Sequence, residues 1–149
     1  MSSAKQITDL IPHRPPFLWV DKIIACDAVS ITTEKHIDAE LELFQGHYPE
    51  NPIMPGVLLC EIIFQSGALL MAKIAPSEKS NEKKMPVLTR IENTKFKRPV
   101  LPGDTVQVEV TLKEILSSVA FFKGTLKIMG KTAVQTAFSC ALVAADENK

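Results

Sequence analysis

Residues Gly46 to Ala75 read GHYPENPIMPGVLLCEIIFQSGALLMAKIA, and the fold turns on where the second half of that stretch is buried. From Ile53 onward it is apolar in every direction, yet it carries one carboxylate, Glu61. A helix without a polar face belongs in a domain centre or in a membrane. Its length of about 20 residues would permit a span. Against that, Pro55 and Gly56 interrupt the run near its start, and Glu61 with Gln65 would put polar groups deep in hydrocarbon at substantial cost. The expectation is therefore a core helix with no membrane insertion. It starts at Pro55-Gly56 and fades near Lys73, because proline suits a first turn and lysine a last one.

On such a helix Glu61 lies in the second turn, with Val57, Phe64, Gln65 and Ala68 near it. Gln65, four residues on, is placed to hold the carboxylate by a hydrogen bond. Gly67, Ala68 and Ala72 keep part of the surface thin, so that another backbone or a ligand can come close. Upstream, Pro49, Pro52 and Pro55 recur every third residue, which excludes helix and makes a stiff, extended approach. His47 thus stands at the start of a rigid loop. Taken singly, a loop histidine is ordinarily satisfied by a backbone carbonyl, and a core carboxylate by nearby amides. Together they form an acid/base pair whose protonation the surroundings can tune. The free amides at the helix N-terminus between them could receive developing negative charge.

The remaining chain reads mainly as strands. A short helix is expected over Ala4–Leu10, stopped by Pro12. Strands follow over Phe17–Ile24 and Ala28–His36, joined by Ile24 to Asp27. After the central helix, Pro76–Met85 is a polar connection and the part expected to move most. Pro86–Glu92, Thr94–Val100, Thr105–Ile115, Val119–Met129 and Thr132–Ala144 then read as strands, the last two joined at Gly130-Lys131 as a hairpin. In Thr105–Ile115, Val106, Val108, Val110 and Leu112 alternate with Gln107, Glu109, Thr111 and Lys113, so one face is wet. One long apolar helix followed by antiparallel strands leaves a helix inside a curled sheet as the economical packing.

Composition narrows the function classes. A chain of 149 residues, 46% hydrophobic, can bury one sizeable core and is expected to form one domain over residues 1–149. The 17 basic and 17 acidic residues balance, which argues against nucleic acid as the main partner. Cys26, Cys60 and Cys140 lack the spacing of a disulfide framework or a zinc site and fit a reducing cytosol. His13 and His36 have no carboxylate or cysteine at ligand spacing, so they read as structural or exposed and no metal is expected. The N-terminal MSSAKQITDLIPH lacks a secretory pattern. Between Lys79 and Arg98 lie seven basic residues against Glu82 and Glu92. Such a run is either a solvated face or a docking surface for an acidic partner.

Three stretches carry a family resemblance: FQGHYPENPIMPGVLLCE (Phe44–Glu61) followed by Gln65, IPHRPPFLWVDKI (Ile11–Ile23), and FKRPVLPGDTV (Phe96–Val106). In this order, and over almost the whole chain, they resemble the 3-hydroxyacyl-acyl-carrier-protein dehydratases of fatty-acid synthesis. The resemblance implies an α+β hot-dog fold, an antiparallel sheet wrapped around one long central helix, with an active site shared by two subunits. It implies dehydration to the trans-2-enoyl thioester, with His47 as catalytic base, Glu61 as its acidic partner and the Gly56 amide on the thioester oxygen. Gln65 supports Glu61, whose burial would favour its protonated form. No cofactor is implied. The implied partners are an acyl carrier protein bearing a phosphopantetheine-linked chain, docked on Lys95, Lys97 and Arg98, and further copies of the chain, as a homodimer or a trimer of dimers. The expected location is cytoplasmic. Tyr48 stands where phenylalanine is usual, Trp19 where an aliphatic residue is, and Ile62-Ile63-Phe64 is bulkier than the family's Ala-rich turn, which leaves acyl length open. A hot-dog thioesterase, a hydratase of coenzyme A thioesters and a non-catalytic acyl-binding module are the competing readings. The first is disfavoured by the His47 loop, the second separable only by comparing carriers, and the last disfavoured by the presence of both His47 and Glu61.

Overall fold

A computed structural model describes residues 4–74 and 84–144. The Pro76–Met85 connection, with Lys79, Glu82 and Lys83, lies outside the described residues except for its last two positions. The elements in order are helix α1 (Ala4–Leu10), strands β1 (Lys22–Cys26) and β2 (Ser30–His36), a short 3-10 turn (Glu42–Gln45), helix α2 (Gly56–Ile74), and strands β3 (Lys84–Phe96), β4 (Thr105–Leu116), β5 (Val119–Ile128) and β6 (Lys131–Ala144).

Helix α2 starts one residue after Pro55 and ends one after Lys73. Its 19 residues span roughly 28 Å at 1.5 Å per residue. It is long and apolar enough to cross a membrane, yet every residue from Ile62 to Met71 is buried inside the protein. The six strands pair antiparallel in the order β1-β2-β4-β5-β6-β3, and α2 packs against β4, β2 and β5. Val106, Val108 and Val110 turn fully inward towards the helix layer while Gln107 and Glu109 face out. The alternation fails beyond Leu112, where the β4–β5 register slips. At Gly124 on β5 any Cβ would collide with Ile63 of α2, so the sequence permits the helix to lie directly on the strand there.

Several boundaries differ from the sequence expectation for local reasons. β1 begins at Lys22 rather than Phe17, because the backbone of Phe17 and Trp19 is bonded instead to the Gln65 side chain. β1 then runs to Cys26, and Asp27 makes the turn by accepting from the amides of Val29 and Ser30. The two strands expected over 86–92 and 94–100 are one strand, β3, whose register slips between Leu88 and Arg90 and between Glu92 and Lys95. Asn93 sits there at φ 52°, a left-handed conformation that asparagine tolerates. β3 ends at Phe96, and as an edge strand it accommodates Pro86. The last hairpin turns on Met129-Gly130, both at positive φ, rather than on Gly130-Lys131.

Candidate active site

His47 follows the 3-10 turn, its amide donating to Leu43 O at 3.0 Å. Its Nδ1 lies 2.8 Å from Ile53 O. A carbonyl only accepts, so Nδ1 carries the proton and Nε2 is left with a free lone pair in the neutral ring. The ring is half-buried and packs edge-on against Tyr48 at 4.8 Å between centroids. Tyr48 has φ 57° and is exposed. The loop is pinned at its far end by Met54 N donating to Val100 O at 2.8 Å.

Gly56 opens α2. Leu58 and Leu59 donate their amides to Pro55 O, while the amides of Gly56 and Val57 have no acceptor among the described residues, as is normal for a first helical turn. A Cβ at Gly56 would stand 2.9 Å from Phe96 Cε1, so the aromatic ring lies directly over the helix start. Ile53, Met54, Gly56 and Leu59, with residues 96–100, border a groove of about 370 Å³ there, with Lys97 and Arg98 on its wall.

Glu61, one turn further on, is about a quarter exposed. Gln65 Nε2 donates to Glu61 Oε2 at 3.0 Å and also to Phe17 O at 3.0 Å, while Gln65 Oε1 accepts from Trp19 N at 2.8 Å. Gln65 is itself 1% exposed, so a buried amide fixes both the carboxylate and the N-terminal loop. His13 also stands beside Glu61, with Nε2 3.8 Å from Oε2. Burial holds the His13 imidazole below the ordinary histidine range, more strongly than the Glu61 charge raises it, and Arg14 lowers it further. His13 was expected to be structural or exposed. The proximity was invisible because no short spacing encodes it, and its only sequence trace is membership of the Ile11–Ile23 stretch.

Among the described residues no hydrogen bond or ion pair joins His47 to Glu61. One chain brings Gln65 and His13 to Glu61, and Phe96, Lys97 and Arg98 to the Gly56 end of the helix. Lys95 does not border that groove. Strict period-2 alternation along β3 would set Lys95 and Lys97 on one face and turn Phe96 to the core side, and the structure departs from that pattern. Phe96 is 56% exposed, and because the strand ends at Phe96 the period-2 rule no longer governs Lys97 and Arg98, whose amides both reach Ala133 O.

The FabA-like domain family matches residues 11–137. The chain is 41% identical over 138 residues to a 3-hydroxyacyl-[acyl-carrier-protein] dehydratase FabZ of Rickettsia bellii, covering 92% of this chain and 93% of that protein. It is 35% identical over 133 residues to the FabZ of Clostridium perfringens, covering 89% and 93%. The chain belongs to the 3-hydroxyacyl-[acyl-carrier-protein] dehydratase family. Solved structures similar to this dehydratase-family chain include the dehydratase heterocomplex ApeI:P of Xenorhabdus doucetiae, at TM-score 0.78 and 11% identity over 93% of this chain and 91% of that one. A mutant thioesterase, PA1618 of Pseudomonas aeruginosa, gives TM-score 0.65 and 16% identity over 93% and 86%. At those identities the likeness is one of fold, and the fold is the hot-dog, with its antiparallel sheet around one long helix.

Proposed function

We propose that this chain removes water from 3-hydroxyacyl-[acyl-carrier-protein] to give the trans-2-enoyl thioester in fatty-acid biosynthesis, with His47 and Glu61 sharing the proton transfers. The observation that carries the reading is the 35% and 41% identity to FabZ dehydratases over nearly the whole chain. The reaction takes a weakly acidic proton from the carbon beside the thioester carbonyl and expels hydroxide, a poor leaving group, from the next carbon. His47 suits the first task, since its Nδ1 bond to Ile53 O leaves Nε2 free to accept a proton. Glu61 in its protonated form suits the second, and the departing hydroxyl leaves as water. The amide of Gly56 meets no acceptor among the described residues and is suited to the thioester oxygen as negative charge builds on it.

Two features favour a site completed by a second copy of the chain. His47 and Glu61 are not bonded to each other within one chain, and β3 is an edge strand whose Met85, Val87, Leu88 and Ile91 remain exposed. An apolar edge of that length is a template for pairing, and a homodimer, extending to a trimer of dimers, would cover it. Residues 1–149 are read as one dehydratase domain, in a cytoplasmic protein whose three cysteines remain thiols. The acyl carrier protein would dock where Lys97 and Arg98 flank the groove, with Lys95 nearby on β3. The test is to mix the purified protein with carrier-bound 3-hydroxyacyl chains of several lengths and follow the enoyl product. Wild type should form it. His47→Ala should lose about 100-fold or more in kcat at unchanged melting temperature, and near-normal turnover by that variant would remove His47 from the mechanism.

A further inference from the structure

His13 is the least explained polar side chain near the site. Its Nε2 faces Glu61 Oε2 at 3.8 Å, while its Nδ1 is shut off from solvent with no hydrogen-bond partner among the described residues. A neutral imidazole carries one N–H. Placed on Nδ1, that proton would be an orphaned buried donor, and a lone pair would face the carboxylate oxygen. Placed on Nε2, the N–H faces the oxygen and only an acceptor is left unmet, so the Nε2–H tautomer is the lower in energy. From 3.8 Å, a shift of roughly 0.9 Å makes a hydrogen bond.

The surrounding chain is built to hold the ring there. The Arg14 guanidinium donates to the carbonyls of Thr8 (2.9 Å), Ile11 (2.8 Å) and His13 (2.7 Å), which ties the end of α1 to the loop. Gln65 fixes the same loop at Phe17 and Trp19 from the helix side. His13 and Gln65 therefore approach Oε2 from different elements, and Oε1 has no hydrogen-bond partner among the described residues.

We propose that His13 is a positioning residue for Glu61: with Gln65 it brackets Oε2 between two neutral N–H donors, so that the proton Glu61 delivers is carried on Oε1. When Oε1 gives that proton to the departing hydroxyl, the negative charge left on the carboxylate meets Gln65 already bonded and His13 within a short shift of bonding. This rests on the reading of Glu61 as the proton donor. The role assigned to His13 is toward Glu61 and not toward the acyl chain or the carrier, so the effect belongs in the chemical step and not in binding.

The test uses the full-length protein in its own assembly with a short 3-hydroxyacyl pantetheine thioester. His13→Phe keeps a flat ring without the donor, and should lower kcat about 10- to 100-fold while KM stays within about twofold. His13→Gln can return an amide N–H near the Nε2 position, and should recover kcat to within about threefold of wild type. Where phenylalanine lowers the melting temperature, His13→Leu replaces it in the comparison with glutamine. Wild-type kcat in the folded apolar variant overturns the inference, as does equal loss in the glutamine and apolar variants. Glu61→Gln separates the two levels. Wild-type turnover in Glu61→Gln refutes the donor role of Glu61 itself, whereas an inactive Glu61→Gln beside a fully active His13→Phe refutes only the role of His13.

Discussion

Among single residues, the cysteines show how the core suppresses chemistry that the site does not use. Burial, with a smaller contribution from the Glu61 charge, pushes the Cys140 thiol up to about 11. Cys60 is raised for the same two reasons, and Cys26 mainly by burial, although it is only partly covered. The thiolate is the reactive form, and at pH 8 a thiol with that value is ionised to about one part in a thousand. Iodoacetamide at pH 8 should therefore label Cys26 first, and Cys60 and Cys140 only after denaturation, as read by mass spectrometry of the digested protein. Labelling of native Cys140 at the rate of Cys26 would show that the β6 face of the core opens readily. At the same scale the surroundings of Glu61 and His47 were legible from residue type and spacing: Gln65, four residues on, bonds the carboxylate, and a backbone carbonyl satisfies the loop imidazole. The pairing of Glu61 with His13 was not, since it is made by the path of a loop far away in sequence.

Among the elements, the central helix was the most legible. Proline and glycine mark its start, lysine its end, and its lack of a polar face required it to be surrounded. β3 was the least legible. Pro86 reads as a strand start and Asn93 as the gap between two strands, whereas at a sheet edge a proline needs no ladder bond and an asparagine can take positive φ within a slipped register. The 3-10 turn over Glu42–Gln45, which delivers His47, had no periodic signal because four residues are too few to show one. Contact between elements gives a stability prediction. Gly124→Ala puts a methyl into Ile63, which is fully buried, and should destabilise the fold by about 1–3 kcal/mol in urea unfolding. Adding Ile63→Leu, which removes the Cβ branch at the clash, should restore part of the loss. If the alanine variant is as stable as wild type, the helix does not press on β5 as described.

At the scale of the whole molecule, neutral net charge hides an uneven surface. Lys97 and Arg98 are exposed at the groove by the helix start, and Arg90 is engaged by Glu92 at 3.3 Å. Reversing Lys97 and Arg98 together to glutamate should raise KM for carrier-bound substrate several-fold and leave a short pantetheine thioester nearly unaffected. The wild-type rate on the carrier substrate should also fall with salt, because exposed charges are screened over about 10 Å at 0.1 M. Equal losses on both substrates would assign the pair to the fold or the channel and end the docking reading.

In the proposed mechanism two chains make one site, His47 from one and Glu61 from the other, and subunit mixing tests this most directly. His47→Ala and Glu61→Gln, each inactive alone, are unfolded together in equal amounts, refolded and assayed for enoyl formation, with mixed dimers verified by differently tagged subunits. Random pairing gives half mixed dimers, each with one intact and one doubly defective site, so activity should return to about a quarter of wild type. Mixed dimers that form and remain inactive would place both residues in the site of a single chain and contradict the account.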